Sequence, residues 1–249
     1  MRHLLLVPCL LLLTGVSWSE EPEPAKWTEL VGENAAADAW KSKLQGWTKA
    51  DAVALDEKNE KRLVVTKPGK SIMVNGKTGR EPDLITKEVF GDHEIEVEFL
   101  IAKKSNSGVK FHGLYEIQIT DSHGKKDADL TGDDCGGIYP RATLEPKYRY
   151  LDKGTPPKKN AAKKAGEWQK LTAIFVAPRF DKDGKKTKNA RLVKATLNGE
   201  LIHEDVELKT PTGHNHTKPE MAKGPLLLQG DHGPVAFRNV RVREYKKKD

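Results

Sequence analysis

The chain has 249 residues, of which 37% are hydrophobic and 32% are charged, and its formal net charge is +7. Much of the lysine lies in loop-like runs with few aromatic residues between them, which argues against nucleic-acid binding. A solvated basic surface, or one attracted to acidic polymers outside the cell, is the better interpretation. The runs are Lys158-Lys159, Lys163-Lys164, Lys185-Lys186 and Lys246-Lys247-Lys248.

The first residues have the pattern of a secretory signal peptide. A basic start at Arg2 is followed by an apolar run over 4–13 and by the small residues Ser17 and Ser19. The run is too short to cross a bilayer, so we expect an exported, periplasmic or extracellular protein without a membrane span. The predicted organisation is a signal peptide over 1–19, a linker over 20–26, one domain over 27–245 and a basic tail over 246–249.

The chain has two cysteines, and Cys9 lies within the predicted signal peptide. Cys135 is then alone in the mature chain, so the core is expected to form without disulfides. We interpret Cys135 as a small, partly buried thiol without a catalytic role.

Short alternating runs separated by turn residues predict about a dozen β-strands and no long helix. The predicted strands are 27–31, 63–66, 71–74, 84–86, 94–101, 109–112, 115–120, 168–176, 191–197, 201–203, 226–228, 235–237 and 240–242. One helical turn is expected at 38–42 and a turn at Pro68-Gly69, while Asn198-Gly199 is the strongest hairpin signal. The pattern predicts an all-β fold, a sandwich of two antiparallel sheets.

The strand predicted at 94–101 alternates almost perfectly. Ile95, Val97 and Phe99 should point inward, with acidic side chains such as Glu96 and Glu98 pointing outward.

Residues 106–121 form the stretch around which the site is expected. Alternation places the apolar side chains on one face and Lys110, His112, Glu116 and Gln118 on the other. A carboxylate, an amide and an imidazole within a few residues would suit a sugar-binding surface. A hairpin with an ordinary wet outer face is the alternative. The irregular stretch over 121–166 is long enough to form the wall of a site.

Several motifs along the chain occur in one order. They are Phe90-Gly91-Asp92, Asn106-Ser107-Gly108-Val109, Tyr115-Glu116-Ile117-Gln118-Ile119-Thr120-Asp121, Gly137-Ile138-Tyr139, Gly166-Glu167-Trp168, Leu197-Asn198-Gly199, Leu228-Gln229-Gly230-Asp231-His232-Gly233 and Val235-Ala236-Phe237-Arg238-Asn239-Val240. Taken together, they resemble the family once called DUF1080, now described as 3-keto-disaccharide hydrolases or 3-keto-glucoside lyase/hydratases. The resemblance covers roughly 27–245 and implies a concanavalin A-like jelly roll. Two positions depart from the family pattern: His112 stands where arginine is usual, and Gln169 where asparagine is usual.

The resemblance implies cleavage of a sugar that carries a ketone at C3. A base removes the acidic C2 proton, the C1 substituent leaves, and water adds to the resulting glucal. Such a site needs a base near C2, a donor or cation for the enolate oxygen, and an acid for the leaving oxygen.

We assign Glu98 and Glu116 as the acid and base, on strands expected to be neighbours. Lys110 and His112 would polarise the ketone, with His112 among the catalytic residues. The expected substrate contacts are Gln118, Asp121, Tyr139, Trp168, Gln229 and His232.

Each assignment has a structural alternative. Glu98 can be an exposed strand carboxylate, and Glu116 can hold a loop through a hydrogen bond. Asp121 can cap a turn, Trp168 can belong to the core, and Lys110 and His112 can be surface residues.

No cofactor is predicted with certainty, and a divalent metal stays possible. His214 and His216 have no third ligand at a suitable spacing for zinc. The aspartates at 127, 129, 133 and 134 do not have the regular spacing of a calcium loop.

Three other functions stay open besides the 3-keto-glycoside enzyme. One is a carbohydrate-binding module on the same sandwich. Another is a retaining glycosidase that uses the acidic strand at 94–98, and this mechanism needs two carboxyls about 5 Å apart. The third is a secreted structural protein. The sequence does not define the sugar, its linkage or the oligomeric state.

Overall fold

The computed structural model describes residues 25–36, 38–41, 44–76 and 78–246. The predicted signal peptide, most of the linker and most of the basic tail lie outside these residues. Among the described residues, no helix has the length and apolarity to cross a membrane.

The described residues form strands joined by turns and loops, with two short 3-10 turns at Asp127–Asp129 and His214–Thr217. The strands are β1 Thr28–Val31, β2 Thr48–Asp56, β3 Asn59–Val74, β4 Leu84–Phe90, β5 His93–Ile101, β6 Asn106–Phe111, β7 Tyr115–Thr120, β8 Ala142–Thr143, β9 Arg149–Tyr150, β10 Gln169–Val176, β11 Arg179–Phe180, β12 Lys186–Lys188, β13 Ala190–Leu197, β14 Glu200–Leu208, β15 Gly224–Leu228 and β16 Val235–Glu244.

Two antiparallel sheets make the sandwich, which confirms the predicted all-β class. The large sheet has the order β14-β13-β10-β5-β16-β3-β2, with β1 also paired to β16. The small sheet has the order β4-β15-β6-β7. Two ribbons, β8–β9 and β11–β12, extend from the loops.

Alternation explains why the two sheets pack together. In β5, Ile95, Val97 and Phe99 are 0% exposed, and in β7 Ile117 and Ile119 are 2% and 1% exposed. All five belong to one core cluster between the sheets. Burying a side chain of this size contributes about 1.5–3 kcal/mol. The side chains between them in sequence therefore point away from the core, on the outer face of each sheet.

The outer face of the large sheet carries a ladder of ion pairs between β5 and β16. Glu94, Glu96 and Glu98 bind one arginine each, at 2.7 to 3.0 Å from the arginine Nε. The arginines are Arg243, Arg241 and Arg238 respectively. The acidic strand is therefore part of the structural surface of the large sheet.

The Asn198-Gly199 hairpin forms as predicted, with φ of 54° and 87° at its two residues. The turn predicted at Pro68-Gly69 is wrong, because β3 continues through it. Ala50 of β2, a strand not predicted, pairs with both Ile72 and Pro68, so the extra residues are accommodated in a bulge.

The helical turn predicted at 38–42 is also wrong over its described residues. Trp40 makes an antiparallel bridge with Thr86, and the amide of Lys41 donates to Ile85 O at 2.7 Å. Trp40 is 7% exposed, so burial of its ring against the core offsets the helical preference of its neighbours.

Candidate functional site

The outer face of the small sheet holds a buried ion pair. Lys110 of β6 and Glu116 of β7 are directly opposite in the ladder, and Lys110 Nζ lies 3.3 Å from Glu116 Oε2. Their side chains are only 11% and 5% exposed. Burial raises the pKa of Glu116, and the charge of Lys110 offsets part of that rise. A buried carboxyl with a raised pKa beside a cation is a candidate for acid or base chemistry.

Gly108 provides the space in which this carboxylate lies. A Cβ at position 108 would be 2.2 Å from Glu116 Oε1, so a side chain there would displace the carboxylate. The sequence Asn106-Ser107-Gly108 thus places a gap beside the acid. The glycine is needed for this close approach and not for its backbone angles.

Two buried amides lie on either side of Gly108. Gln118 is its partner in β7, and the backbone amide of Gln229 donates to Gly108 O at 2.9 Å. Both side chains are more than nine-tenths buried, and the Oε1 atom of each has no hydrogen-bond partner in the structure. Buried polar atoms are normally paired, so these two amide oxygens are free to accept hydrogen bonds from a polar ligand or from water.

Ionisable groups from three loops lie around the Lys110–Glu116 pair. Asp83 accepts a hydrogen bond from the Gly230 amide at 2.9 Å, and burial raises its pKa. His232, bonded to the neighbouring Asp231, lowers the pKa of Glu116 through its charge. Partial burial lowers the pKa of His214, and the charge of Lys110 lowers it further.

The long loop after β7, whose stretch 121–166 was expected to form the wall of a site, is hydrogen-bonded along the edge of β7. The Tyr139 amide donates to Glu116 O at 3.1 Å, and the Gln118 amide donates to Gly137 O at 2.8 Å. On the same edge, Glu116 N donates to Thr212 Oγ1 at 3.0 Å. The edge strand β7 is thereby covered, and its two polar side chains are held between the sheet and the loops.

Tyr139 belongs to a group of three tyrosines within this loop. Its hydroxyl is 2.9 Å from the Tyr148 hydroxyl and 3.0 Å from that of Tyr150. Asp133 joins the group to the sheet, since it accepts a hydrogen bond from Gln118 Nε2 at 3.1 Å and interacts with the Tyr150 hydroxyl. The predicted aromatic contact at Tyr139 therefore has two partners that the alternation pattern gave no reason to select.

The prediction that Glu98 and Glu116 lie on neighbouring strands is wrong. β5 lies between β10 and β16 in the large sheet, whereas β7 pairs with β6 in the small sheet. Both side chains point away from the shared core, so they lie on opposite outer surfaces of the sandwich. Burial tends to raise the pKa of Glu98, but hydrogen bonds from Asn239 and Arg238 lower it overall. Glu98 is therefore a strand carboxylate with a structural role, which was the alternative to its assignment as a catalytic residue.

The position predicted for His112 is also wrong. Its φ is 55°, which turns the side chain away from the alternation of β6. The ring is 2% exposed and packs against Phe175 at 4.9 Å and His93 at 6.0 Å between ring centroids. Burial lowers its pKa. His112 is therefore part of an aromatic core cluster and does not face Lys110.

Two predicted substrate contacts lie elsewhere. Trp168 packs under Arg238, whose guanidinium carbon is 4.0 Å from the ring centroid, on the Glu98 side of the large sheet. Asp121 follows the end of β7 and accepts a hydrogen bond from the Lys104 amide at 2.9 Å, which supports a positive φ at Lys104. Asp121 therefore caps a turn, which was the alternative to its assignment as a substrate contact.

Sequence reasoning missed Asp83, Tyr148 and Tyr150, and it considered His214 only as a metal ligand. None of these lies in an alternating strand, so periodicity carried no information about them. Within the described ranges, no group of three or more His, Cys, Asp or Glu side chains is arranged to hold a metal ion.

Comparisons with known proteins agree with this architecture. A family model described as the 3-keto-alpha-glucoside-1,2-lyase-like domain matches residues 26–243. Among solved structures, a putative glycosyl hydrolase from Parabacteroides distasonis ATCC 8503 is 24% identical, covers 92% of this chain and 95% of its own, and has a TM-score of 0.58. A second putative glycosyl hydrolase from that organism is 20% identical, covers 88% and 100%, and also has a TM-score of 0.58. Likeness at this identity shows a shared jelly-roll fold. A comparison with curated proteins found no match. The match over 26–243 shows that the chain belongs to the carbohydrate-active family of 3-keto-alpha-glucoside-1,2-lyase-like domains.

Proposed function

We propose that the protein cleaves 3-keto-glycosides by elimination at C1 followed by addition of water. The observation that carries the proposal is the buried Lys110–Glu116 pair on the outer face of the small sheet. A cation and a carboxylate held side by side match a reaction in which a proton leaves one carbon while negative charge develops on the oxygen of the next.

In the first step Glu116 takes the C2 proton, and the electron pair of the broken C–H bond moves to form the enolate. Lys110 stabilises the charge that develops on the C3 oxygen. The two groups act on adjacent carbons, which suits the 3.3 Å between Nζ and Oε2. A preorganised cation aimed at a developing oxyanion is commonly the largest catalytic contribution.

In the second step the enolate reforms the ketone, a double bond forms between C1 and C2, and the bond from C1 to the leaving oxygen breaks. His214 protonates that oxygen, because it is near enough to Lys110 for their charges to interact and it follows Gly213, whose backbone lies against the Tyr139 ring. Water then adds at C1 and C2 regains a proton, which completes a net hydrolysis.

The flanking groups hold the sugar over the pair. The unpaired amide oxygens of Gln118 and Gln229 accept hydrogen bonds from sugar hydroxyls on either side of Gly108. His232 stands beside Asp231 at the β15 end of the site. Two amides, one on β7 and one directly after the end of β15, would fix the ring orientation at little entropic cost.

Replacing Glu116 tests the proposal. Glu116→Gln keeps the size of the side chain but removes the base, so turnover of a 3-keto-glucoside should fall about 10²- to 10⁴-fold. Glu98→Gln is the matched control, because it makes the same change on an outward-facing strand position of the other sheet. It should retain activity near that of the unchanged protein.

Binding and turnover of the parent glycosides, which have no ketone at C3, distinguish the proposed activity from the other candidate functions. A carbohydrate-binding module would bind sugars and turn over neither form, and a retaining glycosidase would cleave the unoxidised glycoside. The acidic strand assigned to that glycosidase is occupied by its arginine ladder. Equal turnover by Glu116→Gln and the unchanged protein would remove Glu116 from the mechanism.

A further inference from the structure

The side chain of Gln118 uses only one end of its amide. Its Nε2 donates to Asp133 Oδ1 at 3.1 Å, whereas its Oε1 has no hydrogen-bond partner among the described residues. Gln118 is 1% exposed, and buried polar atoms are normally paired. The amide oxygen is therefore the end that is left for a ligand or a water molecule.

Asp133 decides which end of this amide is left free. A carboxylate only accepts hydrogen bonds, while an amide has a donor end and an acceptor end of nearly the same shape. If the Gln118 amide turned over, its oxygen would face the Asp133 carboxylate, and the hydrogen bond would be replaced by repulsion. The contact with Asp133 therefore holds the NH2 group against the loop and leaves the oxygen as the free end.

The turn that carries Asp133 is fixed by hydrogen bonds of its own. Asp134 accepts from Lys125 Nζ at 2.9 and 2.7 Å and from the Thr131 amide at 2.7 Å. The Asp133 amide donates to Thr131 Oγ1 at 3.2 Å, and the Asp133 carboxylate also interacts with the Tyr150 hydroxyl. A group that orients another side chain works best when it is itself held in place. Asp133 lies on such a preorganised turn.

Gln118 lies close to the proposed base. Gly108 is directly opposite Gln118 in the ladder, and the Cβ that Gly108 lacks would be 2.2 Å from Glu116 Oε1. Because opposed Cβ atoms in an antiparallel pair are about 4.5–5.5 Å apart, Glu116 Oε1 is at most about 8 Å from the Gln118 Cβ. One pyranose ring can therefore contact both side chains.

We propose that Asp133 is a positioning residue that holds the Gln118 amide with its oxygen toward the substrate, so that this point of the site accepts only a group that donates a hydrogen bond. The proposal rests on the proposed function for the identity of the sugar. It adds that a hydroxyl at C2, C4 or C6 binds Gln118. The ketone oxygen at C3 only accepts hydrogen bonds, so it is excluded from this point and left to Lys110. The two contacts together select one orientation of the ring.

Fluorinated methyl glucosides test the polarity of this contact without any reaction. Fluorine replaces a hydroxyl with little change of size but cannot donate a hydrogen bond. With fluorine at C2, C4 or C6, one of the three sugars should bind the full chain about tenfold more weakly than methyl glucoside, because a buried acceptor is then left unpaired. In Asp133→Ala the amide is free to turn, so most of this fluorine penalty should disappear. Titrations followed by NMR, with both anomers, measure the dissociation constants.

Asp129→Ala is the matched control, since it removes a carboxylate from an exposed position of the same loop. It should keep the fluorine penalty of the unchanged protein. Equal penalties in Asp133→Ala and the unchanged protein would overturn the proposal. So would the absence of a penalty from all three fluorines, which is the result expected if the oxygen meets only water, and so would failure of methyl glucoside to bind.

An exchange of the two groups separates orientation of the amide from support of the loop. Gln118→Glu alone places two carboxylates together and should weaken binding of methyl glucoside. When Asp133→Asn is added, the asparagine NH2 can donate to the new carboxylate, which keeps one oxygen free for the sugar. The double variant should regain the fluorine penalty that Asp133→Ala loses. A double variant that melts like the unchanged protein but shows no such penalty would overturn the proposal.

Turnover distinguishes failure of this inference from failure of the proposed function. For a 3-keto-glucoside, Asp133→Ala should raise KM about tenfold and change kcat little, since it removes binding that substrate and transition state share. A fall confined to kcat, or an unchanged KM together with an unchanged fluorine penalty, overturns the inference alone. If no 3-keto-glucoside is turned over while the fluorine results hold, the proposed function is rejected and the role of Asp133 stands.

Discussion

At the scale of single residues, the site depends on a carboxylate that is buried but not isolated. Lys110 keeps Glu116 paired, and Gly108 leaves the space in which its Oε1 lies. Alternation within 106–121 was sufficient to predict that Lys110, Glu116 and Gln118 share a face. It could not predict the burial that raises the pKa of Glu116, because burial here comes from loops far away in sequence.

The pH dependence of kcat/KM should be bell-shaped, with an acid limb set by Glu116 and an alkaline limb set by His214. Glu116 must be ionised to act as the base, and burial raises its pKa above the ordinary value of 4.5. Activity should therefore fall as the pH falls through this raised pKa. His214 must be protonated to act as the acid, and its pKa is lowered from 6.5, so activity falls as pH rises. Burial is the main cause of both shifts. The charged groups that modify the pKa of Glu116 are Lys110, His232 and Asp83, and those that modify the pKa of His214 are Lys110, Lys218, His216 and His232.

The His214→Gln variant checks the assignment of the alkaline limb. If His214 is the acid, the variant loses that limb of the profile together with most of its activity. An alkaline limb that persists unchanged in His214→Gln would assign it to another group.

Replacing Gly108 should damage activity more than stability. In Gly108→Ala the new Cβ would meet Glu116 Oε1 at 2.2 Å and push the carboxylate from the lysine. We expect kcat to fall about 10²-fold, the lower end of a lost base, while alanine in a strand is otherwise favourable by about 0.5–1 kcal/mol over glycine. Gly91→Ala is the control, since its nearest neighbours are at 3.7 Å. Thermal melting alongside kcat measures both effects, and loss of folding in Gly108→Ala alone would contradict the expectation.

Cys135 should be dispensable for the reaction. The thiol is 1% exposed, and burial raises its pKa to about 12, so it stays protonated at neutral pH and is a poor nucleophile. Cys135→Ser should retain most of the turnover of a 3-keto-glucoside and show little reaction of the unchanged protein with a thiol reagent unless it is unfolded. A loss of several hundredfold in a folded variant would place the thiol in the mechanism.

At the scale of elements, local pattern predicted strands well and their partners poorly. β5 and β7 alternate in the same way, and nothing within either strand says that they belong to different sheets. The assignment of Glu98 failed for that reason. The bulge at Pro68 and the bridge at Trp40 follow from pairing and burial that only the assembled sheets provide. The Asn198-Gly199 hairpin was predictable because its turn chemistry is contained in two residues.

At the scale of the whole molecule, the two outer faces of the sandwich have different roles. The large sheet presents charges that neutralise one another in the arginine ladder, and the small sheet presents a buried pair with unpaired amides beside it. Between them lies a core that also contains buried imidazoles. The stability of the fold therefore depends on pH through groups that take no part in the site.

Unfolding should become easier as the pH falls from about 6.5 to about 4. Burial lowers the pKa of His93 to about 4, and its ring is 1% exposed among Phe90, Phe111 and Phe175. The unfolded chain, with a histidine pKa near 6.5, binds the proton first, so the contribution is complete above that value and is lost as pH falls toward the folded pKa. A shift of this size corresponds to about 3 kcal/mol in the free energy of unfolding.

His93→Phe, which fits the aromatic cluster, should reduce the slope of unfolding free energy against pH in urea titrations, although it gives up the contact between His93 Nδ1 and Gly91 O. His123→Phe, at an exposed ring, should leave the slope unchanged, and an equal slope in all three proteins would mean that other groups govern acid unfolding.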